Sequence, residues 1–213
     1  MKAITLGQYD KLPVDFYQQK DVCTVARALL GKIVVTVING ELTAARIVET
    51  EAYNGMVDKA SHSWNGRRTE RTEVMYAAGS VSYVYLCYGI HHLFNVVTGK
   101  EGVPQAVLIR AAEPLSGLEH MLFRTQKKMP DHSITRGPGN FSRAMGICAV
   151  HTGTSLLGGE LFIVDDRLRI PPSRILATPR IGVDYAGEDA RLPYRFILKD
   201  NLYISGKRSQ NTQ

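Results

Sequence analysis

Asn39-Gly40, set between two β-branched runs, is the feature that most constrains this chain, because it dictates one specific reversal of direction. A two-residue hairpin turn matches the twist of its strands only with positive φ at both central positions, which Asn and Gly adopt most readily. Ile33 to Val37 on one side, and the run ending at Thr50 on the other, therefore predict two antiparallel strands. The second run leads into R-I-V-E-T-E-A-Y, where period-two alternation sets Glu51 and Tyr53 on one face. A carboxylate and an aromatic ring then point into the same space from the end of a rigid element.

A second hairpin is expected over Val81 to Thr98, with Tyr83 and Tyr85 sharing a face and Tyr88, beside Gly89, at the tip. Gln105 to Ala111 reads as a buried central strand carrying Arg110. Leu161 to Val164, Arg180 to Val183, Tyr194 to Leu198 and Asn201 to Ser205 are further short strand candidates. Asp21 begins a helix whose stripe of Val22, Val25, Ala26, Leu29 and Leu30 ends at Gly31. Two more helices are expected, over Ser116 to Lys128 and from G-P-G-N through Met145, with a loose loop at Met129 to Thr135. Asn54 to Arg71 reads as an irregular basic surface loop, and it leaves Trp64 open between packing and ligand contact. Without regular βαβ alternation, these elements predict a single α/β (α+β) domain over residues 1–213. Its core spans about 13–205, with a curved, mostly antiparallel sheet, flanking helices, a protruding hairpin and a frayed polar tail from Gly206.

With 44% hydrophobic residues the chain is ordinary globular material, while a net charge of +6 and a pI near 9.3 suit a polyanionic partner. Cys23, Cys87 and Cys148 are odd in number and far apart, which argues against a disulfide framework or zinc site and for a reducing interior. The N-terminus lacks a signal-like apolar core and no run is long enough to span a membrane, so an intracellular protein is expected.

Aromatic rings around one carboxylate suit a specific chemistry. An enzyme acting on a base within duplex DNA must extrude it for a few kcal/mol, and stacking on one ring returns roughly 1–3 kcal/mol. Tyr53 and Tyr85 are candidate walls of such a slot, and their π faces attract a cationic alkylated base by about 0.5–2 kcal/mol. Cleavage of the N-glycosidic bond then needs a water, and Glu51 is the candidate to deprotonate it.

Together R-I-V-E-T-E-A-Y, A-S-H-S, R-R-T, Y-V-Y-L-C-Y-G, L-F-N-V-V, V-L-I-R-A-A-E-P and R-I-G-V-D-Y-A-G-E resemble the alkyladenine (3-methyladenine) DNA glycosylase family, from about Pro13 to about Ser205. The resemblance implies Glu51 as general base with Arg110 helping to hold the water. It also implies Tyr53, His62 and Tyr85 as pocket walls, and Asn95 as the group disfavouring the exocyclic amine of guanine. Tyr88 would fill the gap left by the flipped nucleotide, and Arg67 and Thr69 would contact phosphates near the lesion. Asn140 departs from the basic residue usual at that position. The implied partner is double-stranded DNA with a damaged purine, engaged by a monomer without cofactor or metal.

Rival readings part at particular residues. A lyase acting through a Schiff base needs an amine, and Lys59 is the lone lysine within the core motifs. A deaminase needs His-x-Glu and Pro-Cys-x-x-Cys, neither of which occurs. A non-catalytic module recognising damaged DNA would share the charge and the wedge tyrosine, and would not need Glu51. Taken singly, Glu51 also reads as half of an ion pair with Arg46 or Arg110.

Overall fold

The computed structural model describes residues 9–206. Residues 1–8 and 207–213, on which parts of the leader and tail expectations fall, lie outside the described residues. Its first elements, β1 (Asp10–Lys11) and α1 (Val14–Tyr17), are too short to leave a periodicity in the sequence. In α2 (Val22–Leu29) the Asp21 side chain accepts from the Cys23 and Thr24 amides at 3.1 and 3.0 Å. Such a cap contributes about 1 kcal/mol. The stripe Val22, Val25, Ala26 and Leu29 is buried, as its spacing requires.

β2 (Ile33–Ile38) and β3 (Glu41–Tyr53) form the expected hairpin, with Asn39 at φ +54° and Gly40 at φ +78°. The second hairpin is β4 (Ser82–Cys87) and β5 (His91–Thr98). It is followed by β6 (Gln105–Ser116), α3 (Leu118–Thr125) and α4 (Pro138–Met145). The short β7 (Leu161–Asp165), β8 (Ile175–Thr178) and β9 (Arg195–Leu198) complete one curled antiparallel sheet with the path β1-β7-β2-β3-β6-β5-β4. Beyond Arg46, β9 takes the place of β2 beside β3 and pairs outward with β8. Among the described residues no helix is long and apolar enough to cross a membrane.

Alternation divides this sheet into two faces. Ala52, Val84, Phe94, Val96, Val107 and Ile109 are buried against residues of α2, α3 and α4 in the main apolar cluster. Phe94 and Phe141 meet there with ring centroids 6.4 Å apart, and truncation of such a ring to alanine typically costs about 3–5 kcal/mol. The opposite face carries the polar and aromatic residues of interest. Three register shifts interrupt the β3–β6 ladder, leaving Leu115 and Arg110 unopposed on β6 and Val48 unopposed on β3. A bulge re-aims the extra residue's side chain, and the one at Arg110 lies beside Glu49 and Glu51 of β3.

Several expectations are corrected. Arg180 to Val183 is not a strand: Arg180 is drawn into a buried ion pair with Asp58, and Gly182 turns the chain at φ +78°. Asn201 to Ser205 is a pair of turns, closed by Asn201 N–H to Leu198 C=O at 3.3 Å and Ile204 N–H to Asn201 C=O at 3.4 Å. The segment 129–135 holds a helical turn at His132–Ile134, capped by Asp131, with Ile134 and Thr135 buried. The segment 54–71 is irregular as expected but not wholly superficial, because Asp58, Ala60, Ser61 and Ser63 are buried.

Candidate active site

Directly opposed residues of antiparallel strands share a face. Glu51 opposes Leu108 and Tyr53 opposes Ala106 on β6, while Asn95 of β5 opposes Leu108 on one side and Tyr83 of β4 on the other. Glu51, Tyr53, Tyr83, Tyr85, Asn95 and Arg110 therefore come to one side of the sheet. That side forms the floor of a cleft of about 550 Å³, bounded by residues 60–62, the turn Arg136–Asn140 and the loop 181–183. Tyr88 and Tyr185 stand at its margin, 89% and 71% exposed.

Glu51 lies one layer beneath the surface of this cleft. It is fully buried and is held by three donors that each line the cavity. Ile181 N–H donates to Oε1 at 2.8 Å, while the Tyr53 hydroxyl and Arg110 Nη1 donate to Oε2 at 2.9 and 3.2 Å. Of the two ion-pair partners open to Glu51, Arg110 is the one it has; Arg46 pairs with Asp166 at 2.6 Å. Burial works against the Arg110 charge, but the carboxylates of Glu51 and Glu49 outweigh it and raise its pKa.

Glu49, not singled out in the sequence, anchors this arrangement. Its Oε1 accepts from Arg110 Nε at 3.0 Å, Arg195 Nε at 2.7 Å and the Ser205 hydroxyl at 2.7 Å; its Oε2 accepts from Ser205 N–H at 2.7 Å. Burial would raise its pKa, yet the Arg110 and Arg195 charges and the Ser205 amide bring it below the ordinary carboxylate value. Two carboxylates and two guanidiniums thus form a charge-balanced buried cluster. Period-two spacing from Glu51 already placed Glu49 on this face; its partners, Arg195 and Ser205, lie far along the chain.

The aromatic wall is a connected set. His62 Nδ1 lies 2.8 Å from the Tyr83 hydroxyl, and its ring meets Tyr85 edge-on with centroids 4.7 Å apart. Tyr83 and Tyr85 are tilted against each other at 5.4 Å. Burial, then the nearby Arg71 and Arg67 charges, push the His62 pKa down to about 4, so its imidazole is neutral at pH 7. Arg71 lies over the Tyr85 ring at 4.7 Å. Arg180 lies over Tyr53 at 4.9 Å while its guanidinium grips Asp58 at 2.5 and 2.8 Å. Both arginines were missed as site residues, although Arg180 opens the R-I-G-V-D-Y motif.

Asn95 is buried, and its Nδ2 donates to the Tyr83 and Leu93 carbonyls at 3.1 and 3.2 Å, so its amide is fixed in the cleft wall. Tyr88 itself takes φ +51° ahead of Gly89 at +69°, a conformation unusual for a bulky residue. Arg67 and Thr69 are exposed outside the cleft lining, and Thr69 N–H is tied to the Thr72 hydroxyl at 2.8 Å. Trp64 is 46% exposed and also lies outside that lining. Asn140 folds back onto the Ser133 and Arg136 carbonyls, both at 3.1 Å, fastening the turn that begins α4. A Cβ on Gly139 would come within 2.7 Å of the His91 ring, so any larger residue there must displace His91 of the hairpin.

A family model for methylpurine-DNA glycosylases (MPG) matches residues 15–202. The chain belongs to that family. A protein of Desulfitobacterium hafniense named "Putative 3-methyladenine DNA glycosylase" is 45% identical over 204 residues, covering 92% of this chain and 99% of its own. Similarly named proteins of Alkaliphilus oremlandii and Bacillus cytotoxicus are 44% and 43% identical, each across 92% of this chain and 100% and 99% of theirs. The span matched by the methylpurine-DNA glycosylase model contains every cleft residue described above; Ser205, which closes the Glu49 cluster, lies just beyond it.

Proposed function

We propose that the protein is a monofunctional DNA glycosylase of base excision repair, acting as an intracellular monomer on double-stranded DNA. It flips 3-methyladenine, 7-methylguanine, hypoxanthine and ethenoadenine from the duplex and hydrolyses the N-glycosidic bond. The observation that carries this reading is the direct hydrogen bonding of Glu51 to Tyr53 and Arg110, two groups that line an aromatic cleft beside an exposed hairpin tyrosine.

Tyr88 takes the space vacated by the flipped nucleotide, and the base stacks within the wall of Tyr53, His62 and Tyr85. The fixed Asn95 amide obstructs the exocyclic amine of guanine. Arg67 and Thr69 hold phosphates beside the lesion. A carboxylate offers about four lone-pair directions, and three at Glu51 are occupied. The fourth is the one that takes a water proton, so a modest shift of the Tyr53 hydroxyl or of the Ile181 loop, made as the base enters, must open it. Water oxygen then bonds to C1′, its proton passes to Glu51, and the bonding pair leaves with the base. No lysine lines the cleft among the described residues, which supports simple hydrolysis over lyase chemistry.

The complete burial of Glu51 is the observation that favours the rival, a module that binds damaged DNA without catalysis. The test incubates the protein with duplexes holding one hypoxanthine, ethenoadenine or methylated purine and then cleaves abasic sites with hot alkali. Strand breaks at the lesion are expected. Tight binding without breaks favours the rival.

A further inference from the structure

Three of the arginines around the cleft face carboxylates: Arg110 faces Glu49 and Glu51, Arg68 faces Glu73, and Arg180 faces Asp58. Arg71 and Arg136 line the cleft without an ion pair to a carboxylate among the described residues, and Arg136 donates to the Leu202 carbonyl; Arg71 is the one of the two that meets the aromatic wall. Its guanidinium lies over the Tyr85 ring, 4.7 Å from the centroid, and its Nε donates to the Tyr83 hydroxyl at 3.3 Å. The protein thus places its own cation against one of the rings proposed to hold a cationic base. His62, edge-on to the same ring, is neutral at pH 7 and adds no compensating or competing charge there.

We propose that Arg71 is a specificity-determining residue that sorts purine lesions by charge, opposing the binding of cationic bases while assisting the departure of every base. The inference rests on the glycosylase reading and follows from its charge balance. When the C1′–N bond breaks, the bonding pair stays on the base, the water oxygen bonds to C1′, and the water proton goes to Glu51. The base therefore gains one unit of negative charge whatever it carried before. Cationic 7-methylguanine leaves neutral, and neutral hypoxanthine leaves as an anion. A fixed positive charge beside the base favours that change equally in both. In the ground state it repels only the base that is already positive.

The experiment measures single-turnover excision of 7-methylguanine and of hypoxanthine from matched duplexes over a range of enzyme concentrations, for wild type, Arg71→Gln and Arg71→Lys. In Arg71→Gln the rate at saturating enzyme should fall for both lesions by a similar factor. The half-saturating enzyme concentration should fall for 7-methylguanine alone. Each change should be roughly three- to tenfold, as for a partly exposed charge acting over several ångströms. Arg71→Lys should keep both values near wild type, and Arg71→Met supplies the same readout if the glutamine variant does not fold. Parallel weakening of binding to both lesions with a shallower salt dependence would make Arg71 a phosphate contact and overturn the proposal. So would unchanged kinetics on both. Wild type that releases neither base would instead sink the glycosylase reading, and this inference with it.

Discussion

Replacing Glu49 with glutamine tests whether the buried charge cluster, rather than any apolar contact, holds the cleft wall in place. The wild-type cluster pairs Glu49 and Glu51 with Arg110 and Arg195, all 8% exposed or less. Glutamine keeps one oxygen for Arg110, Arg195 and the Ser205 hydroxyl, but turns an NH₂ toward the Ser205 N–H that now donates at 2.7 Å. One buried donor loses its acceptor, and one guanidinium charge is left without a counterion. Removing a single partner from a buried ion pair costs about 3–5 kcal/mol. For a chain of this size each kcal/mol lowers Tm by roughly 2–4 °C, so a drop of about 6–20 °C is expected. Because the folded-state pKa of Glu49 is depressed, its contribution is fully present above the ordinary glutamate value and is lost progressively as pH falls from there through the lower folded-state value. The variant should therefore show a shallower decline of Tm with acidification than wild type. Differential scanning calorimetry across pH 3 to 7 reads both quantities. A Tm loss below about 2 °C at pH 7, with an unchanged acid limb, would refute the reasoning.

Three further expectations follow from single residues. Tyr88→Ala removes the exposed ring at the hairpin tip, and excision from a stable duplex should fall at least tenfold while excision from a mismatched lesion falls less; equal rates on both would exclude a wedge. Asn95→Ser removes a fixed amide from the cleft wall, so release of unmodified guanine should rise measurably in a long incubation, and a rate that does not rise counts against steric exclusion. His62 is neutral above a pKa near 4, so its folded-state stabilisation is complete above about pH 6.5 and fades as pH falls toward 4. His62→Gln should flatten that part of the Tm profile, and an unaltered profile would show that burial of the imidazole is not what shifts it.

Much of the fold was legible because local signals agreed with one another. Asn39-Gly40 fixed the first hairpin, Asp21 and Gly31 bounded α2, and alternation paired Glu51 with Tyr53 and Tyr83 with Tyr85, while only the ladder through β5 and β6 brings the two pairs to one face. The misread segments are those where long-range polar contacts decide the backbone. Ile181 looked like part of a strand because of its β-branched side chain, but its N–H is spent on Glu51 and its neighbour Arg180 on Asp58. Asn201 to Ser205 carries Tyr203 and Ile204, yet Ser205 turns inward to Glu49. The Glu49 cluster joins residues as far apart as 49, 110, 195 and 205, and no periodicity connects them. Arg71 was read within a run of loop arginines; only the folded chain lays it on Tyr85.

Glu51→Gln, assayed by single-turnover excision beside equilibrium binding on the same lesion duplex, tests the central claim most directly. Losing a general base typically costs a factor of 10² to 10⁴. Excision should fall by about that much while affinity for the damaged duplex stays within a few-fold, since Glu51 lies beneath the cleft surface and Arg110 keeps Glu49 as its counterion. A folded variant that excises at the wild-type rate would contradict the account.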